Sequence, residues 1–144
     1  MKVGAALLVL LVLASSCGGG ETTKATIETE GGEVTIDVEI ADEPDERRRG
    51  LSGRTSLPEG AGMLFQYAED SRGGYWMKDT LIPLSIAYLD ADGRILAVLD
   101  MEPCQADPCP AYDPGLAYRG ALEVNQGAFD RWGVREGDVV RVVE

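Results

Sequence analysis

The stretch KATIETEGGEVTIDVEI, residues 24–40, alternates apolar and polar residues on either side of Gly31 and Gly32. Ala25 and Ile27 share one parity in the first arm, Val34, Ile36, Val38 and Ile40 share one in the second, and the glycines suit a tight type I′ or II′ turn. That pattern predicts an antiparallel hairpin with one face buried. The same signals recur downstream: GMLFQY at 62–67, GYWMKD at 74–79, LSIAYLD at 84–90, ILAVLDM at 95–101 after the turn DADGR, YRGALEV at 118–124 and GDVVRVVE at 137–144. ILAVLDM is apolar on both parities, which predicts a strand at the centre of the domain.

Only two segments read as helices. DEPDERRRGLSGR, 42–54, places Asp42 as cap, Pro44 in the first turn, Asp45 and Glu46 at the positive end, and Arg47–Arg49 at the negative end before Gly50. On this reading the arginines complement the helix dipole and form a solvated face. NQGAFDRWG, 125–133, is a short helix ending at Gly133. Many short strands and two short helices predict a mainly β chain, a single antiparallel β-sandwich or barrel. With 144 residues, 44% of them hydrophobic and 6% aromatic, there is room for one domain and one core, residues 25–144.

The N-terminus reads as an address. Residues 1–16 carry one cation, Lys2, then an apolar stretch from Val3 to Ala14 too short to span a bilayer comfortably, then Ser15 and Ser16 before Cys17. This is the pattern of a signal peptide and resembles the lipobox of bacterial lipoproteins. In that class the peptidase cuts before an acylated cysteine, which predicts lipidation of Cys17 and an envelope protein held on the extracytoplasmic side of a bacterial membrane. Residues 18–24, GGGETTK, form the flexible tether. The alternative is a plain secretory leader with an incidental cysteine. Cys104 and Cys109 then remain, in a Pro-rich loop exposed to an oxidising compartment, and a disulfide is the expected outcome. Closing so small a loop contributes roughly 2 kcal/mol. A metal site of two thiolates and Asp107 is the competing reading, and it lacks the four good ligands of a closed zinc site.

Charge and composition narrow the function classes. The formal charge is −12, so the surface repels nucleic acid and anionic lipid. The chain has no His, which removes imidazole-based dyads and triads and the commonest metal ligand. No serine sits in a G-x-S-x-G elbow, and EGAGML lacks the Lys and following helix of a phosphate loop. Neither a cofactor nor a metal is expected.

RRRGLSGRTSLPEGAGMLFQYAEDSRGGYWMKDTLIPLSIAYLDADGRI, together with Pro103, Tyr112, ALEVNQG and GDVV, resembles a bacterial and archaeal family known as domain of unknown function 192. The resemblance spans roughly residues 25–143 and implies a compact, mainly β domain, sometimes secreted or lipid-anchored, with no established biochemical role. The chain departs from that pattern at three places. Ser52 follows Leu51 where Met is common, Asp79 stands where Asn is usual, and Ser85 stands where Asp is usual.

Strand parity in YWMKDT puts Trp76, Lys78 and Thr80 on one face and Met77 and Asp79 on the other. A ring and an ammonium on one face make a ligand platform, so the candidate binding site is Arg54, Trp76, Lys78 and Glu123, with Glu59, Thr80 and Asn125 in support. The plainer alternative makes Trp76 a core aromatic, lays Lys78 over it toward a carboxylate such as Glu123, and pairs Arg54 with Glu59. Three functions follow. The first is a non-catalytic module binding a small molecule or glycan. The second is a scaffold docking another envelope protein through an edge strand or apolar patch. The third is a His-free hydrolase using Glu59 and Glu123.

Overall fold

In the computed structural model, which describes residues 21–143, the alternation at the start of the domain becomes a hairpin of β1 (Thr22–Thr29) and β2 (Gly32–Ala41). Thr29 pairs with Gly32 across the turn, and the Thr29 hydroxyl donates to Gly32 O at 2.8 Å. The buried parity is the one the pattern predicts, since Ala25, Ile27, Ile36 and Val38 are all in the core. The leader and Cys17 lie outside the described residues.

The remaining elements are α1 (Pro44–Arg49), β3 (Ala61–Ser71), β4 (Tyr75–Trp76), β5 (Leu84–Leu89), β6 (Ile95–Met101), β7 (Ala111–Tyr112), β8 (Tyr118–Asn125), α2 (Ala128–Trp132) and β9 (Val139–Val142). Seven strands form one sheet in the order β6-β5-β8-β3-β2-β1-β9, and β4 and β7 form a separate ribbon. All pairs are antiparallel except β2 with β3. The chain is thus mainly β, a curled half-barrel with two short helices.

The sheet is buried on both faces. One apolar cluster contains Ile27, Val38, Leu64, Ala87, Leu122, Val124 and Phe129. The other contains Phe65, Met77, Leu84, Ile86, Tyr88, Met101, Tyr118 and Ala121. Alternate residues of β5 and β8 feed the two clusters, so both strands are buried on both faces along most of their length.

Several expectations change. ILAVLDM is the sheet's edge strand, not its centre: β6 pairs only with β5, and its middle residues are half-buried. Its two apolar parities reflect a curl that brings this edge round to β9. Ile95 N–H donates to Asp138 O at 2.8 Å, Val140 N–H to Gly93 O at 2.8 Å, and Arg94 bridges Val139. The first helix covers six residues and is capped at Glu43, not Asp42, with the Glu46 carboxylate accepting from the Glu43 N–H. The proposed strand at 74–79 shrinks to Tyr75–Trp76, because Asp79 takes a left-handed φ of 56° that ends extended backbone. After Gly, Asn and Asp are the residues that best tolerate that conformation. The loop before Tyr118 holds β7, and in it Cys104 and Cys109 lie at disulfide distance, Cα–Cα 5.8 Å.

Ser85 also finds a local explanation. It sits directly opposite Asp100 in the β5–β6 register, donates to that carboxylate, and accepts from the Gly127 N–H at 2.9 Å. Ser85 thus has a carboxylate partner supplied from across the ladder.

Closure of the half-barrel rests on Gly93, whose φ is +80° and whose added Cβ would lie 2.2 Å from Val140 O. Gly93→Ala therefore pushes β9 away from the β5–β6 turn. A loss of about 2–4 kcal/mol is expected in urea unfolding, and an unchanged midpoint would show that the closure is not strained by a methyl group.

Candidate functional site

Glu123 is where the sheet's apolar logic breaks. It lies in β8 at the centre of the sheet, with Met63 of β3 and Ile86 of β5 as its cross-strand partners. Neither partner offers a hydrogen bond. The residue is 6% exposed, and its carboxyl makes no hydrogen bond or ion pair among the described residues. It lines a cavity of about 320 Å³ that opens to the surface. Burial pushes its pKa from 4.5 up to about 8, so at neutral pH it is an uncharged acid.

Tyr67, Tyr75 and Tyr118 line the cavity, and hydroxyls of Tyr67, Tyr118 and Tyr88 tie the β4–β7 ribbon and the turn before it to the main sheet. Tyr67 of β3 shares a hydrogen bond with Tyr75 of β4 at 2.8 Å, Tyr118 of β8 donates to Gly73 O at 3.1 Å, and Tyr88 of β5 donates to Tyr112 O. Each of the three sheet strands around the cavity thus sends one hydroxyl outward to the ribbon. Their rings pack edge-on or tilted, with Tyr88 and Tyr118 centroids 4.8 Å apart and Phe65 and Tyr75 centroids 5.0 Å apart. Burial, the largest cause in each case, raises the pKa of Tyr75, Tyr88 and Tyr118 above the ordinary tyrosine value.

Four arginines rim the opening: Arg47, Arg48 and Arg49 from α1, and Arg72 from the turn after β3. Arg47 lies over the Tyr67 ring at 4.9 Å and donates to Gln66 O, and Arg48 pairs with Asp45. Arg49 and Arg72 have no ion pair among the described residues. A chain of net charge −12 thus concentrates four cations at one mouth.

The structure divides the residues singled out from sequence. Trp76, Thr80 and Glu123 come together in this cavity, with Trp76 62% exposed at its rim and Thr80 buried. Lys78 points elsewhere and pairs with Asp107 in the disulfide loop, a hydrogen bond that holds its pKa above the usual lysine value. Arg54 forms a two-pronged pair with Glu39, both contacts at 2.6 Å. Glu59 pairs with Arg131 at the surface at 3.2 Å, so it joins neither Arg54 nor the Glu123 cavity. Asn125 donates to Leu57 O at 2.8 Å and anchors the loop before β3.

Sequence reasoning missed Tyr67, Tyr75, Tyr118, Arg72 and the triple arginine as members of one site. The arginines form the last turn of α1, but only the tertiary fold sets them at the cavity that Glu123 lines. Two other hollows are larger, about 720 and 800 Å³. In the first, Arg119 and Arg141 pair with Asp70 and Glu28; in the second, Arg54 pairs with Glu39. No cluster of three or more Cys, Asp or Glu that could hold a metal occurs among the described residues.

A curled β half-barrel with a ribbon-covered, arginine-rimmed cavity defines the class. The chain belongs to the DUF192 family, described as "Uncharacterized ACR", which matches residues 25–142. Two solved structures are similar. One is a "putative transcription regulator" from Sinorhizobium meliloti 1021, at TM-score 0.78 and 27% identity over 87% of this chain and 96% of that one. The other is a protein of unknown function from Novosphingobium aromaticivorans DSM 12444, at TM-score 0.76 and 29% identity over 88% and 89%. No curated protein matches the chain.

The buried acid sets a pH dependence. The folded chain holds the Glu123 proton up to about pH 8, whereas the unfolded chain releases it near 4.5, so stability falls as pH rises through that window. Glu123→Gln removes the fall. Chemical denaturation at about pH 9 should find the variant more stable by several kcal/mol, about 1.4 for each pKa unit, with near-equal stabilities at about pH 4. Parallel curves for the two proteins would contradict an isolated acid at this position.

Proposed function

We propose that this protein is a lipid-anchored, extracytoplasmic, non-catalytic domain that binds a small ligand in the Glu123 cavity. The single observation that carries the binding site is an uncompensated carboxyl at the floor of an open cavity. The Glu123 carboxyl is met by no protein donor and faces the cavity, and such a group in a concavity is a place where a ligand supplies the missing bonds. The anchoring rests on residues 1–24, and an extracytoplasmic location is in keeping with Cys104 and Cys109 at disulfide distance.

Binding is favoured over hydrolysis because the second carboxylate invoked for catalysis, Glu59, is committed to Arg131 outside the cavity. Transcriptional control, the description attached to one structural neighbour, has little support in a chain of net charge −12.

Two experiments test the reading. Cys17→Ser should move the protein from the membrane to the soluble extracytoplasmic fraction; unchanged partitioning would remove the lipid anchor. In NMR screening of the full chain against small amines, amino acids, organic acids and sugars, hits should perturb Trp76 and Thr80 and be weakened by Glu123→Gln. Hits confined to other surfaces, or no hits, would count against this cavity.

A further inference from the structure

The cavity holds opposite charges that do not neutralise one another. Glu123 lies at the floor with no arginine bonded to it, while Arg49 and Arg72 stand at the mouth without an acidic partner among the described residues. Between them the wall is built largely from the aromatic rings of Phe65, Tyr67, Tyr75 and Tyr118, with Ser52, Ser71 and Thr80 among the smaller lining residues. The Tyr118 hydroxyl donates to Gly73 O, and one of the Tyr67 and Tyr75 hydroxyls donates to the other. Aromatic ring faces attract cations.

From this we infer that the ligand of the proposed site is a small zwitterion, its ammonium group lodged among the tyrosine rings against Glu123 and its carboxylate or phosphate held by Arg49 and Arg72. The inference rests on the binding reading given above and specifies its ligand class. A plain anion satisfies the rim and leaves the floor unpartnered. A plain cation satisfies the floor but must pass four arginines to reach it. A molecule carrying both charges meets both sets of groups and enters with its anionic end attracted to the mouth.

Protonation follows from the same geometry. In the free protein burial keeps Glu123 uncharged below about pH 8. An ammonium beside it favours the carboxylate, so binding at neutral pH releases the Glu123 proton to solvent. The other groups around it are Tyr67 of β3, Tyr75 of β4, Tyr88 of β5, Tyr118 of β8, the three arginines of α1 and Arg72. The arginines keep their charge throughout, and burial raises the pKa of Tyr75, Tyr88 and Tyr118 further from neutrality.

The test is calorimetric titration of the full chain in mild detergent at neutral pH with three probes. Glycine betaine and phosphocholine carry both charges, while 3,3-dimethylbutyrate keeps the shape and carboxylate of betaine but has carbon in place of the ammonium nitrogen. At least one zwitterion should bind roughly tenfold or more tighter than 3,3-dimethylbutyrate. Glu123→Gln should erase that difference, and Arg72→Ala should weaken zwitterion and carboxylate alike. Buffers of different ionisation enthalpy should report close to one proton released by wild type and none by the glutamine variant. If 3,3-dimethylbutyrate binds as tightly as the zwitterions, the ligand class is wrong while the cavity stands as a binding site. If no probe binds, the inference is overturned, and the broader screen decides whether the binding reading falls with it.

Discussion

The interior strand β8 is paired on both edges and buried on both faces, and the candidate site depends on that constraint. Such a strand should be apolar throughout, because a charge placed there loses its hydration and gains nothing from flanking side chains. Seven of its eight positions respect this or lie near its ends. Glu123 does not, and the fold responds by leaving space above it instead of supplying a partner. An ion pair would have been the cheaper way to keep a carboxylate at this depth. Its absence makes the residue hard to explain as a structural device.

The covering layer explains how the space survives. The β4–β7 ribbon spans the second face of the sheet, and it is held off by tyrosines whose hydroxyls reach its backbone. Gly74 lets the ribbon strands close on each other, since an added Cβ there would lie 2.7 Å from the Tyr112 backbone. The disulfide-distance pair and the Lys78–Asp107 contact fix the outer end of the same layer. Large, stiff rings standing between sheet and ribbon make a walled hollow, where aliphatic side chains would pack it shut. Arginines from α1 and Arg72 then reach the opening from two sides.

Much of this architecture is legible in the sequence. The β1–β2 hairpin follows from alternation and its turn glycines, and α2 from its stop at Gly133, because both are set by local chemistry. The edge position of β6 is not legible: a strand apolar on both parities looks central until the curl that brings Gly93 onto Val140 is known. Parity arguments failed at Lys78 for a similar reason. A single left-handed residue, Asp79, ends the extended backbone, and Lys78 turns to a loop partner nearly thirty residues away. Glu123 could be picked out because it is a polar residue embedded in ALEVNQG, one of the motifs that carry the family resemblance. The arginines and tyrosines that complete its surroundings come from α1, β3, β4 and β8, and no local pattern joins them.

The proposed site requires Glu123 to be an uncharged acid without a protein partner in the free protein. Carbon-13 labelling of glutamate side chains, with the Glu123→Gln variant to assign the signal, allows its carboxyl to be titrated directly by NMR. A midpoint near pH 8 is the predicted result. A midpoint close to the ordinary 4.5 would mean that the carboxyl is solvated or paired, and the floor of the proposed site would lose its basis.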